Sequence, residues 1–146
     1  MQINSKNQEF LFHIKVVSLL RKLQIAGHDF IHYHCPNGEA RSRAVGGRLK
    51  LMGVLPGVPD LCLIRNGTMI FIELKSDVGG TSKAQEEFIT KAMRHGFETF
   101  VISDVDMLIS VLCAFLDIED QTVISSISAR VFGGNASPAT LPPKNS

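Results

Sequence analysis

Asp60, Glu73 and Lys75 flank a segment that dictates how they meet. Asn66-Gly67 separates two apolar runs, Leu61-Cys62-Leu63-Ile64 and Met69-Ile70-Phe71-Ile72. In that setting Asn-Gly is the strongest local signal for a two-residue type I′ hairpin. With Arg65 and Thr68 paired at the turn, 64 opposes 69, 62 opposes 71, and Asp60 opposes Glu73. Directly opposed residues lie roughly 4.5–5.5 Å apart across antiparallel strands. Lys75, two residues further, projects from the face that carries Glu73. Two opposed carboxylates repel, and a sheet normally avoids the pairing. A divalent cation removes the objection, because Mg²⁺ takes oxygen ligands from one or two carboxylates together with substrate phosphates. The pattern reads as a metal site.

Glu-x-Lys on a strand more often marks a solvated face with a weak ion pair. The flanking residues argue against that here. Both runs read as near-continuous core strands, where charges are rare unless paired or bound to metal. The three charges gather at the end of the hairpin away from its turn, where a cleft can open.

The remaining composition bounds the class of protein. The 146 residues suit one domain with a sizeable core, and 45% hydrophobic with 20% charged residues is ordinary for a globular protein. No apolar run approaches the 18 or so residues of a membrane span, and the N-terminus shows no signal-peptide pattern. Three widely spaced cysteines, Cys35, Cys62 and Cys113, do not suggest a disulfide framework, so a cytoplasmic setting is expected. A net charge of +1 makes no global case for nucleic acid. A local case exists between Cys35 and Asp60, where Arg41, Arg43, Arg48 and Lys50 face a single acid, Glu39. His28, His32, His34 and Cys35 resemble a zinc cluster only superficially, since Cys35 points away from the histidine face and no CxxC-type pair accompanies them. His34 is better placed packing near the cleft or meeting DNA.

The positioning elements are legible. Ser5-Lys6-Asn7-Gln8 forms a capping box opening a helix to about residue 26, with Gly27 as its stop and an apolar stripe of Phe10, Ile14, Val17, Leu20 and Leu23. A short strand covers 30–34. Residues 36–59, with five glycines and three prolines, read as a long loop, which in a compact domain is usually functional or disordered. After the hairpin, Ser82-Lys83-Ala84-Gln85 is a second capping box for a helix to about 95. A strand over 97–102 and a helix capped by Asp104 through 116 follow, after which the signals weaken. The order α-β-(loop)-β-β-α-β-α implies an α/β sandwich around a mixed sheet. Residues 117–132 read as a C-terminal extension and 133–146 as a disordered tail.

Gly53-x-x-Pro56-Gly57-Val58-Pro59-Asp60, Glu73-Leu74-Lys75 and Ser82-x-x-Gln85, with His34-x-Pro36-Asn37-Gly38 upstream, resemble the VRR-NUC family of the PD-(D/E)XK nuclease superfamily. The resemblance covers roughly 8–103, and the nuclease domain is set at 1–116. It implies a restriction-endonuclease-like fold with an α-β-β-β-α-β core and a mixed central sheet flanked by helices. It also implies Mg²⁺ or Mn²⁺ bound by Asp60 and Glu73, with the Leu74 carbonyl and the first-helix Glu9 as further ligands. Lys75 would orient the attacking water or stabilise developing charge, and Gln85 would address Lys75 and a phosphate near a positive helix end. Arg41, Arg43, Arg48, Lys50, Asn37 and Lys83 are the nucleic-acid-binding candidates, while spacing leaves the reach of Asn37 open. DNA is the expected partner, with no membrane and no small-molecule cofactor.

The expected activity is structure-selective endonucleolytic cleavage of branched DNA, such as four-way junctions or flaps. The alternatives are a restriction-type or general DNA nuclease of the same superfamily and a non-catalytic nucleic-acid-binding module. A homodimer would put two sites on opposed strands, with the apolar 105–116 helix and the 123–132 segment as its interface.

Overall fold

The computed structural model describes residues 5–36, 43–76 and 80–133. Among them the elements run α1 (Ser5–Ile25), β1 (Ile31–His34), α2 (Arg43–Leu51), β2 (Leu61–Arg65), β3 (Thr68–Leu74), α3 (Lys83–Arg94), β4 (Glu98–Ile102), α4 (Val105–Leu116) and α5 (Gln121–Phe132). The strands form one mixed sheet in the order β1-β2-β3-β4, antiparallel except between β3 and β4. A parallel neighbour needs a crossover, and α3 supplies it. The helix-flanked mixed sheet is therefore as expected.

Asn66 and Gly67 both have positive φ, 49° and 76°, as a type I′ turn requires. The turn sets the register: Arg65 pairs with Thr68, Ile64 with Met69 and Cys62 with Phe71. Because side chains alternate along a strand, this register decides which face each residue reaches. Leu61, Leu63, Ile70, Ile72 and Leu74 enter the larger core, made with Leu19, Leu20 and Leu23 of α1, Leu108 and Leu112 of α4 and Ile124 of α5. Cys62 and Phe71 pack in a smaller cluster with Phe88 and Ala92 of α3. Both faces are covered, which is why the strands read as unbroken apolar runs. Alternation carries Asp60 and Glu73 to the α3 face.

Three parts of the molecule differ from the sequence pattern. Within the stretch expected as a loop, residues 43–51 are helical. That helix ends in a Schellman arrangement: the Val54 N–H donates to the Leu49 carbonyl (3.0 Å), the Gly53 N–H donates to the Lys50 carbonyl (3.1 Å), and Gly53 has φ 89°. Gly46-Gly47 conceals it, since each glycine is about 1 kcal/mol less favourable than alanine inside a helix. Residues 121–132 form α5, packed on α1 and α4, with the Asp120 carboxylate accepting from the Thr122 N–H. Ser125, Ser126 and Ser128 interrupt its apolar pattern.

The stripe on α1 is rotated from expectation. Phe10 and Ile14 are 64% and 48% exposed, whereas Val16, Leu19, Leu20 and Leu23 are fully buried. The first half of α1 is apolar on several sides, so periodicity alone selects no face. The large apolar groups of α4 and α5 are likewise consumed by the core, leaving Met107 and Val123 as their exposed large hydrophobics. The surface expected for dimerisation is thus mostly interior. Residues 134–146, expected as a tail, lie outside the described residues.

Gly57 fixes how closely α3 approaches the segment leading into β2. It has φ 77°, and a Cβ built on it would lie 2.1 Å from the Ala84 carbonyl oxygen and 2.7 Å from the Gln85 nitrogen. Backbone meets backbone there, so no rotamer change can relieve the clash. Gly57→Ala is expected to cost about 3 kcal/mol, at the upper end of the overpacking range. Gly53→Ala, with positive φ but open space around the added carbon, should cost nearer to about 1 kcal/mol. Urea unfolding of the two variants checks the difference.

Candidate active site

Asp60 lies one residue before β2, and the Leu61–Ile72 pair continues outward to set it opposite Glu73. Its backbone and side chain are both held. The Leu74 N–H donates to the Asp60 carboxylate (Oδ2, 2.8 Å). The Asp60 carbonyl accepts from the Cys35 N–H at 2.8 Å and lies 2.8 Å from Nδ1 of His34. The carboxylate is therefore anchored to β3, while the carbonyl is tied to the end of β1.

Glu73 is 3% exposed, an unusual place for a carboxylate. Lys75 Nζ lies 2.8 Å from its Oε1, and Nε2 of Gln85 donates to the same oxygen. Gln85 is oriented by the second capping box. Its Oε1 accepts from the Ser82 N–H at 2.7 Å, and its own N–H donates to Ser82 Oγ at 3.3 Å. With Oε1 committed to the helix start, the amide must turn its NH₂ toward Glu73. Lys75 Nζ also lies 3.4 Å from that Oε1, closing a small ring of contacts. Burial pushes the Glu73 carboxyl above its ordinary value; the Lys75 hydrogen bond opposes this, and the charges of Asp60 and Glu9 add to it.

Glu9 approaches from α1, partly buried, close enough for its charge to be felt at Glu73 and at His13. His13 stands one helical turn beyond Glu9 and meets His34 edge-on, with ring centroids 4.7 Å apart and planes at 90°. Burial, then the neighbouring His34, lowers the His13 pKa, while Asp60 and Glu9 pull it the other way. Nothing in the sequence pattern singled out His13. The available signal was its i, i+4 relation to Glu9, which puts both on one face of the helix.

The set thus brought together is Glu9, Asp60, Glu73, Lys75 and Gln85, with Leu74, between Glu73 and Lys75 in the chain, giving its N–H to Asp60. Lys83, the first residue of α3, is exposed and 4.0 Å from Glu87. Arg48 and Lys50 are exposed on α2. Asn37 and Arg41 lie outside the described residues, as does the side chain of Arg43. Among the described residues no three His, Cys, Asp or Glu side chains converge as a ligand cluster. Two carboxylates on adjacent strands suit a hard cation that keeps several waters, such as Mg²⁺ or Mn²⁺, and not a closed zinc site. Lys75 pairs with Glu73, and the charges of Asp60 and Glu9 are felt there as well, so the site favours added positive charge.

The raised Glu73 carboxyl has a measurable consequence. The native state holds its proton more firmly than the unfolded chain does, so stability is fully present below the ordinary value of 4.5 and falls as pH rises through the native pKa. Glu73→Gln should remove that fall. Urea midpoints of the two proteins, measured without added metal between about pH 4 and 8, should diverge in favour of the variant as pH rises.

A solved structure described as a VRR_NUC domain protein is similar to this chain at 28% identity and TM-score 0.48, covering 61% of this chain and 69% of the other. No protein of curated function matches. The sequence profile of the VRR-NUC domain matches residues 19–105, a span that holds Asp60, Glu73, Lys75 and Gln85. With more than half of its length under that profile, and with the profile's span containing the buried Glu73 and its partners, the chain belongs to the VRR-NUC domain family of nucleases.

Proposed function

We propose that this protein is a Mg²⁺- or Mn²⁺-dependent endodeoxyribonuclease that hydrolyses phosphodiester bonds in branched DNA. The observation that carries the reading is Glu73, a carboxylate at 3% exposure held by Lys75 and Gln85 beside the anchored Asp60. So much fixed charge in a sheet interior has little structural use but suits a site that must not reorganise during reaction. When bound, the cation supplies polarisation of the phosphate and a more acidic water.

Asp60 and Glu73 would hold that ion, with the Leu74 carbonyl and Glu9 as further oxygen donors. Lys75 offers three N–H donors; the one not directed at Glu73 or Gln85 would orient the attacking water or stabilise charge on the phosphate. Gln85 keeps Glu73 in place and lies in the first turn of α3, whose positive end favours a phosphate nearby.

The DNA path would run past the exposed Arg48 and Lys50 of α2 and past Lys83, joined by Arg41, Arg43 and Asn37. A helix with cations and no acid, largely exposed, suits contact with a phosphate backbone. Phosphate contacts of this kind carry no base information, which favours recognition of backbone shape. A symmetric dimer would set two such sites on opposed strands of a junction. A panel of single-stranded, duplex, flap and four-way-junction DNA at matched salt tests this preference; equal cleavage of plain duplex would favour a general nuclease.

Asp60→Ala, Glu73→Ala and Lys75→Ala should each reduce cleavage of supercoiled plasmid by at least about 100-fold, with circular dichroism confirming the fold. The first two should weaken Mn²⁺ binding and the third should spare it. Alanine at Arg41, Arg43 and Arg48 should weaken DNA binding more than turnover at saturating DNA. It should also flatten the plot of log affinity against log salt by about 0.9 for each phosphate that is no longer neutralised.

A further inference from the structure

We infer that His34, backed by His13, is a positioning residue that sets the orientation of Asp60. The inference rests on the reading of Asp60 as a cation ligand. Asp60 lies one position beyond the paired residues of β2, where the β1–β2 ladder ends: its carbonyl accepts from the Cys35 N–H at 2.8 Å, the last rung of that register. The ring of His34 adds a second hold on the same oxygen, through Nδ1 at 2.8 Å. On the other side of the residue, the carboxylate accepts from the Leu74 N–H. Asp60 is thus clamped between β1 and β3, and the clamp on β1 is half side chain.

A carbonyl oxygen only accepts, so Nδ1 of His34 must carry the proton in this contact. The tautomer follows from the partner, leaving Nε2 as the acceptor nitrogen of the neutral ring. His34 is exposed, so the protein interior does not lock its ring. His13 supplies an edge-to-face contact at 4.7 Å from a partly buried position on α1. Glu9 stands one turn earlier on the same helix. The ring pair therefore joins α1, which carries one acid of the site, to the backbone of another acid. A shift of α1 would be felt at Asp60 through two rings and one hydrogen bond.

Two substitutions of His34 separate this role from direct contact with substrate. Asparagine puts an amide N–H where Nδ1 stands, and glutamine puts one where Nε2 stands. Mn²⁺ affinity, read by the loss of the free-ion electron paramagnetic resonance signal, should stay within about threefold of the original for His34→Asn. It should fall about 10–100-fold for His34→Gln and His34→Ala, the usual effect of losing a hydrogen bond behind a ligand. His13→Ala should fall in the same direction by less, and His13→Phe, which keeps a ring edge, should recover it. The metal-free protein gives an independent readout. Hydrogen exchange at the Leu74 amide, which reports the Asp60 carboxylate, should quicken in His34→Gln and His34→Ala but not in His34→Asn.

Rescue by glutamine and not by asparagine, or unchanged exchange at Leu74 in all three variants, would overturn the inference. If the unaltered protein neither binds Mn²⁺ nor cleaves any DNA, the nuclease reading fails. The Leu74 exchange pattern then still decides whether His34 positions Asp60.

Discussion

A carboxylate with 3% exposure must be given partners, and the surroundings of Glu73 follow from that requirement. Lys75 is the first partner, fixed by strand alternation two residues away. Gln85 is the second, and it comes from a helix that must therefore start close to the sheet. That nearness depends on Gly57, whose missing side chain lets the segment before β2 touch the backbone of α3 at Ala84 and Gln85. Replacing any one of these leaves a buried charge short of a hydrogen bond, which costs more than the bond itself contributed.

The capping box links helix formation to chemistry. Ser82 and Gln85 exchange hydrogen bonds as they would at any stable helix start. Here the amide oxygen is consumed by that exchange, so the amide nitrogen faces Glu73. An element of local structure thereby sets the polarity of a group in the site. The same economy holds at Asp60, whose carboxylate caps a backbone N–H of β3 while standing beside Glu73.

The sheet divides the molecule by purpose. One face carries the large core of α1, α4 and α5 and accounts for most of the buried apolar groups. The other carries only a small cluster under α3. Asp60, Glu73 and Lys75 continue that second face at the end of the hairpin remote from its turn. Burial there holds the Glu73 carboxylate and its Lys75 partner in place. The long connection from β1 to β2 carries the cations, in a helix that is exposed along most of its length.

Much of this was legible in residues 56–85. Asn66-Gly67 dictates a turn, a turn dictates a register, and a register puts Asp60 opposite Glu73; each step is local and has one low-energy outcome. Ser82-x-x-Gln85 is equally local. Gly57 could be noticed but not explained, because its reason is a contact with Ala84, far along the chain. Glu9 entered only through family resemblance, and His13 and the clamp by His34 did not emerge at all, since they depend on how α1 lies against the end of β1. Nor could the buried side of α1 be read, because a helix apolar on several sides has no face of its own until neighbours choose one. The helices within 36–59 and after 117 were hidden by glycines and serines, whose weak propensity is outweighed only by a cap, a Schellman stop or a core to pack on. The sequence alone determined the hairpin and the two acids that face each other across it. The tertiary structure decided what surrounds them, because packing between distant segments, unlike a turn, has no local minimum that the residues reach by themselves.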